Sequence, residues 1–193
     1  MIIQPLNITY DVDYALQYYT ELENNWQHMK ATMPDDYYYE TLRGTYGWTM
    51  QVPLDWDISV PYPRTEGWDI VGRENFKNTD LVFDFAQKTL EVFDTSFRTF
   101  ISVCIPGTHF LPHTDGNADT LVRGWMPITT NDDFKWITDE GEIVLEPGVA
   151  YMIDIANMHE VINAGNTNGA SLVFDIPRVD MQKVRNTKAH ITF

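Results

Sequence analysis

The sequence predicts a mainly β protein, a jelly-roll core with N-terminal helices packed on one side. From Arg98 almost to the end, short segments rich in β-branched and aromatic residues alternate apolar with polar positions, and turn signals such as Pro147-Gly148 separate them. Before Arg98, apolar residues recur at helical spacing in two segments. A chain of 193 residues, 44% of them hydrophobic, is expected to form a single domain over residues 1–193.

Residues 1–97 are predicted to form a helical, loop-rich support and lid region. Apolar spacing predicts one helix from Asp11 to about Met29 and a second from Thr79 to Phe93, with Asn78 as its cap. Between them lies a Tyr- and Trp-rich stretch, Tyr37–Trp68. This stretch is expected either to pack against the helices or to cover a site as a lid, because loops on a rigid scaffold often carry recognition.

The β core is predicted over residues 98–178, and residues 179–193 are expected to form a C-terminal tail. Many short strands at this spacing are typical of a sandwich or barrel. The predicted strands are Arg98–Ile105, Thr120–Ile128, Phe134–Thr138, Glu142–Val144, Ala150–Ile155, Glu160–Asn163 and Ala170–Ile176.

The composition of the chain excludes several classes of function and of site. Lys and Arg total 13 against 28 Asp and Glu, which gives a formal net charge of −15 and no basic face for nucleic acid. A single cysteine, Cys104, excludes an internal disulfide framework and a cysteine-based zinc cluster. Without a leader-like segment after Met1 or an apolar run of about 18 residues, the expectation is a cytoplasmic protein with no membrane partner, either monomeric or homodimeric.

Three side chains of the β half form a candidate metal site. His113 and Asp115 are two residues apart, and in an extended chain such side chains share a face. His159 follows a hydrophobic strand further along and is the candidate third ligand. Two imidazoles and one carboxylate on one side of an ion leave the opposite positions open, which suits non-haem ferrous iron in oxygenases.

Several linked motifs then resemble one known family over Thr99–Asp175. They are Pro106-Gly107 ahead of Pro112-His113-Thr114-Asp115, Arg123-Gly124-Trp125-Met126-Pro127-Ile128, Leu145-Glu146-Pro147-Gly148-Val149-Ala150-Tyr151, and His159-Glu160-Val161-Ile162-Asn163-Ala164-Gly165-Asn166. The order and spacing resemble the aspartyl/asparaginyl β-hydroxylase-like (proline-hydroxylase-like) branch of the 2-oxoglutarate and Fe(II)-dependent oxygenases. Those enzymes are built on a double-stranded β-helix, the cupin-like form of the jelly roll.

The resemblance implies an enzyme and its cofactors. By it, His113, Asp115 and His159 ligate Fe(II), and 2-oxoglutarate and dioxygen are co-substrates. Such a dioxygenase would hydroxylate a small molecule or an amino-acid or peptide side chain, releasing succinate and carbon dioxide.

One position departs from the family pattern. The arginine that usually binds the far carboxylate of 2-oxoglutarate is replaced by Gly169. The resemblance gives this role instead to Arg123, with Ser102 contributing a hydroxyl and Trp125, where the family usually has histidine, lining the pocket or the core. Three further cations lie in the β half: Arg98 and Lys135 are expected at solvated strand ends, and Arg178 is expected to contact substrate or nothing.

Gly169 also leaves two other classes of function open. The first is a metal-binding or ligand-binding β-barrel that performs no oxidation. The second is a metal-dependent isomerase or dioxygenase of the cupin kind that needs no 2-oxoglutarate.

Overall fold

The computed structural model describes residues 1–32, 38–40, 44–55, 70–115 and 119–193. Three α-helices lie in these ranges: α1 (Val12–Thr32), α2 (Asp84–Val92) and α3 (Met181–Asn186). None of these described helices has the length and apolar composition needed to cross a membrane. Residues 37, 41–43 and 56–68 of the predicted lid lie outside the described ranges.

The described strands form two main sheets and one two-stranded sheet. The strands are β1 (Ile3–Tyr10), β2 (Tyr38–Glu40), β3 (Thr45–Thr49), β4 (Gln51–Pro53), β5 (Phe76–Asn78), β6 (Phe97–Cys104), β7 (His109–His113), β8 (Leu121–Thr129), β9 (Phe134–Thr138), β10 (Gly141–Ile143), β11 (Val149–Ile153), β12 (His159–Asn163), β13 (Gly169–Pro177) and β14 (Ala189–Ile191). The major sheet has the order β14-β1-β11-β8-β13-β6-β3-β2, the minor sheet has the order β10-β9-β12-β7, and β4 pairs with β5.

Alternation along the strands separates two apolar clusters. On β13, Leu172 and Phe174 pack with helix residues such as Tyr18. Between them, Val173 belongs to a second cluster that includes Phe134 of the minor sheet. Because successive side chains of a strand point to opposite faces, helices cover one face of the major sheet and the minor sheet covers the other. The predicted jelly-roll fold with helices on one side is confirmed.

The face of the major sheet that points toward the minor sheet carries polar as well as apolar residues. Pairing between β8, β13 and β6 places these side chains on neighbouring strands of that face. They include Arg123 and Trp125 on β8, Gly169, Ser171 and Asp175 on β13, and Ser102 on β6.

Four strands of the major sheet, β1, β2, β3 and β14, come from outside the predicted core. β1 pairs antiparallel with β11 and parallel with β14, and β3 pairs with β6. Residues 1–97 and 179–193, predicted as a support and lid region and as a tail, therefore both contribute strands to the sheet of the predicted core over residues 98–178. β1 alternates buried and exposed residues from Leu6 to Tyr10, whereas β14 has only three residues and is too short for a pattern.

The first predicted helix is confirmed as α1, but the second begins later than predicted. α2 starts at Asp84, and Asn78 does not cap it. The Thr79 hydroxyl accepts a hydrogen bond from the Leu81 N–H at 3.3 Å and donates to the Thr49 carbonyl oxygen at 3.1 Å. The first bond forms a local turn, a common alternative to a helical start for threonine, and the second ties this turn to β3.

Close packing against β8 leads to a stability prediction. A Cβ atom at Gly124 would lie 2.0 Å from a ring carbon of Phe174, and that ring is fully buried and lies 4.5 Å from the Phe93 ring. We expect Gly124→Ala to lower the free energy of unfolding by about 2 kcal/mol through overpacking, measured by urea denaturation. Adding Phe174→Leu should recover part of the loss. An unchanged urea midpoint for Gly124→Ala would contradict this packing.

Candidate metal centre

Backbone pairing brings the three predicted ligands together. His113, the last residue of β7, pairs directly with His159, the first residue of β12. Asp115 lies just beyond β7, and its N–H donates to the carbonyl oxygen of Ile155 at 3.1 Å, just beyond β11. Strand pairing therefore brings the two histidines together although they are far apart in the sequence.

The potential ligand atoms converge on one point. Oδ1 of Asp115 lies 3.4 Å from Nε2 of His113 and 3.9 Å from Nε2 of His159. The two imidazole rings are 4.5 Å apart between centroids. One ligand atom from each residue falls within 4.8 Å of the others. This spacing can hold a single metal ion from one side.

Both imidazoles are oriented in the same way. Nδ1 of His113 donates to the Leu111 carbonyl oxygen at 2.7 Å, and Nδ1 of His159 donates to the Asn157 carbonyl oxygen at 2.9 Å. A proton on Nδ1 leaves the Nε2 lone pair free toward Asp115, a common orienting device for metal-binding histidine. Burial lowers the pKa of His159, which favours the neutral form that binds metals.

The surroundings of the site differ on its two sides. His159 is 3% exposed and stacks on the Trp136 ring at 5.5 Å, whereas the His113 side chain is 33% exposed. Two nitrogen donors and one oxygen donor suit a borderline divalent ion such as ferrous iron, and a half-open shell admits further ligands. The donor set therefore fits the metal that the sequence predicts.

Arg123 lies directly against this cluster. Its Nη1 donates to Oδ2 of Asp115 at 2.5 Å, and its Nε donates to Oδ1 of Asp175 at 3.0 Å. The side chain is 11% exposed. Arg123 thus faces the space between the sheets, as its strand position predicts, and its guanidinium bridges two carboxylates.

Arg98 is not at a solvated strand end, and that prediction was wrong. It is 5% exposed, and its Nη1 donates to Oδ2 of Asp175 at 2.9 Å. Its Nη2 donates to the Ile70 carbonyl oxygen at 3.0 Å. Asp175 is fully buried between the two arginines. Their positive charges compensate for the loss of water around its carboxylate, which a buried charge requires.

Packing explains why position 169 carries glycine. A Cβ atom there would lie 2.2 Å from the Phe134 ring, and Phe134 is 5% exposed. The space that an arginine side chain would need at position 169 is filled by an aromatic ring of the minor sheet. Gly169 is therefore part of the core packing.

Three buried hydrogen-bond donors between the two sheets have no protein partner among the described residues. Oγ of Ser171 and the indole Nε1 atoms of Trp125 and Trp136 have no hydrogen-bond partner among the described residues. Ser102 pairs directly with Ser171 across β6 and β13, and the two indole rings meet edge to face at 4.9 Å. Buried donors are almost always paired in proteins, so this set suits a ligand rich in oxygen acceptors.

The remaining candidates lie in ordinary contacts. Lys135 pairs with Glu142 at 3.2 Å on the surface, as expected for a strand end. Arg178 was expected to contact substrate or nothing, but it pairs with Asp154 at 2.6 Å and bonds the Leu121 carbonyl oxygen.

Sequence reasoning did not single out Asp175, Ser171 or Trp136 as site residues. For Asp175 a signal existed, since it is the one charged residue in the apolar run Leu172–Ile176, and such a charge must be paired when buried. Ser171 and Trp136 carry no such signal, because their position beside the site depends on how the two sheets face each other.

The fold and these side chains together define a class, the double-stranded β-helix proteins with a candidate two-histidine, one-carboxylate metal centre. A family model described as aspartyl/asparaginyl β-hydroxylase matches residues 20–179. The chain belongs to the aspartyl/asparaginyl β-hydroxylase family, a family of hydroxylases. The match confirms the resemblance found in the motifs and extends it into the N-terminal half.

The chain is similar at low identity to several solved structures. A prolyl-4-hydroxylase from Pseudomonas putida is 15% identical with a TM-score of 0.49, covering 92% of this chain and 93% of that chain. A 2OG-Fe(II) oxygenase family oxidoreductase from Burkholderia pseudomallei is 14% identical with a TM-score of 0.46, covering 83% and 88%. A cupin domain from Bordetella pertussis Tohama I is 23% identical with a TM-score of 0.34, covering 42% and 81%. None of the curated proteins matches the chain.

Proposed function

We propose that this protein is a 2-oxoglutarate- and Fe(II)-dependent dioxygenase that hydroxylates a small molecule or an amino-acid or peptide side chain. The observation that carries the proposal is the convergence of His113, Asp115 and His159 with ligand atoms within 4.8 Å of one another. Membership of a hydroxylase family supports the same reaction class.

In this proposal the three side chains hold ferrous iron through Nε2 of each histidine and a carboxylate oxygen of Asp115. When bound, the iron supplies the oxidation of a C–H bond with dioxygen, chemistry that no side chain performs. The protein contributes the ligand geometry, fixed by the carbonyl contacts of both Nδ1 atoms. It also contributes the apolar wall formed by Trp136, which limits access of water on the His159 side.

The charges around the site are compatible with a dianionic co-substrate. Arg98 and Arg123 carry two positive charges that Asp115 and Asp175 balance. A divalent ion adds two positive charges, which 2-oxoglutarate would neutralise in a poorly solvated space. Arg123 is the proposed cation for the co-substrate.

Neutral donors complete the proposed co-substrate site. The Ser102 hydroxyl and the Trp125 indole N–H are proposed to donate to co-substrate oxygens, together with the unpartnered hydroxyl of Ser171. Hydrogen bonds from neutral donors to a carboxylate offset part of its desolvation.

The test is anaerobic titration of the metal-free chain with Fe(II) and 2-oxoglutarate. We expect a weak metal-to-ligand charge-transfer band in the visible region, followed in air by oxygen uptake and succinate release. Asp115→Ala should remove the band. If no band forms and alanine at each of the three ligand positions leaves metal affinity unchanged, the enzyme proposal is wrong.

A second candidate is a metal- or ligand-binding β-barrel that performs no oxidation. It is favoured by Phe134, whose ring fills the space that an arginine at position 169 would need. A pure binder would take up metal without consuming oxygen or releasing succinate. Succinate release above the rate without protein would exclude it.

A further inference from the structure

The two oxygens of Asp115 face different partners. Oδ1 points toward both imidazoles, 3.4 Å from His113 and 3.9 Å from His159. Oδ2 accepts a hydrogen bond from Nη1 of Arg123 at 2.5 Å. A carboxylate can bind a metal through one oxygen or through both. Here one oxygen faces the two imidazoles of the candidate metal site, and the other accepts a hydrogen bond from a cation.

Arg123 itself is held by a buried charge chain. Its Nε donates to Asp175, whose second oxygen accepts from Arg98. Asp175 is fully buried and Arg98 is 5% exposed, so neither can exchange its partner for water at low cost. The contact of Arg123 with Asp115 is therefore pre-organised.

Arg98, the last member of this charge chain, has a strained backbone. Its φ is +50°, in the left-handed region that residues with a Cβ rarely adopt and that costs about 1–3 kcal/mol. The strain falls where β6 and β13 lose regular register, between Phe97 and Phe100. The guanidinium of Arg98 reaches Asp175 on the face of the major sheet that points toward the minor sheet.

We propose that Arg123 is a positioning residue that keeps Asp115 as a one-oxygen metal ligand. Asp175 and Arg98 anchor it. This inference rests on the proposed metal site and adds a role for Arg123 that is separate from co-substrate binding. A carboxylate that bound through both oxygens would take up a coordination position that dioxygen or the co-substrate needs.

The experiment counts the exchangeable waters on Mn(II) bound to the full chain, by water-proton relaxation without co-substrate. We expect about three waters on the unmodified chain, because a facial triad leaves half of a six-coordinate shell to solvent. Arg123→Gln should lose about one water as Asp115 rotates to bind through both oxygens. Arg123→Lys, which retains a cation near Oδ2, should restore the count.

The control variant is Arg178→Gln. It removes a similar arginine–aspartate pair, with Asp154, that does not include a metal ligand, and it should leave the count unchanged. Asp175→Asn tests the anchor while Arg123 remains, and it should also reduce the number of waters. This variant keeps the test decisive if Arg123→Gln fails to fold.

Each outcome decides the inference. An unchanged water count in folded Arg123→Gln, or in folded Asp175→Asn when the first variant does not fold, overturns the role of Arg123 while the metal site stands. A chain that binds no Mn(II) at all overturns the metal site itself, and the positioning role with it. A reduced count in Arg178→Gln equal to that in Arg123→Gln would assign the effect to general loss of packing and overturn the inference.

Discussion

Replacing His159 by alanine is expected to lower the affinity for Fe(II) or Mn(II) by at least about 100-fold, or nearly 3 kcal/mol. His159 is the buried member of the triad, and its imidazole is fixed by the Asn157 carbonyl oxygen and the Trp136 ring. Its Nε2 lone pair cannot be replaced by another described side chain in the cluster. The affinity can be measured by calorimetry or by the electron paramagnetic resonance signal of free Mn(II).

His109→Ala is the matched control. This imidazole lies on the same strand as His113, but it is 41% exposed and pairs with Glu160 at 2.6 Å. It belongs to no described metal-binding group, so its loss should leave affinity within about twofold of the original value. Equal losses for His109→Ala and His159→Ala would show that the metal binds elsewhere.

The triad could be predicted because its information is local. His113 and Asp115 are two residues apart, and His159 begins a strand with its own short motif. The detailed geometry differs from an extended segment, since β7 ends at His113 and Asp115 is positioned by the Ile155 carbonyl oxygen. Residue types and spacing therefore sufficed to predict which three side chains converge, although not the backbone contact that positions Asp115.

The charge chain behind the triad could not be predicted in the same way. Arg98 lies at the start of an alternating strand, where an arginine is usually solvated, but it has a rare φ and is buried in a pair with Asp175. That pair joins residues 77 positions apart. No local pattern encodes such a contact.

The partners of the strands at both ends of the chain could not be predicted from the sequence either. β1 has an alternating pattern, yet its partners are β11 and β14, far away in sequence. β14 has only three residues, and so short a segment has little stability of its own without a neighbouring strand. Whether such a short segment forms an edge strand depends on the strand beside it, which the local sequence does not reveal.

Gly169→Arg, which introduces the residue that the family resemblance leads one to expect, should destabilise this protein by about 3 kcal/mol. Even the Cβ atom would lie 2.2 Å from the Phe134 ring, and the ring is buried among the side chains between the two sheets. Denaturation in urea measures the loss. A variant as stable as the original chain would mean that Phe134 moves aside easily and that packing does not explain the glycine.

Combining Gly169→Arg with Phe134→Ala separates packing from co-substrate binding. Removing the ring makes room for the guanidinium, so the double variant should be more stable than Gly169→Arg alone even though Phe134→Ala by itself leaves a cavity. If the vacated space adjoins the far carboxylate of 2-oxoglutarate, the added charge-assisted hydrogen bonds should tighten binding about tenfold relative to Phe134→Ala. Gly169→Gln with Phe134→Ala supplies a neutral side chain of similar reach as the control. Equal 2-oxoglutarate affinity in both double variants would place the co-substrate carboxylate away from position 169 and leave Arg123 as its cation.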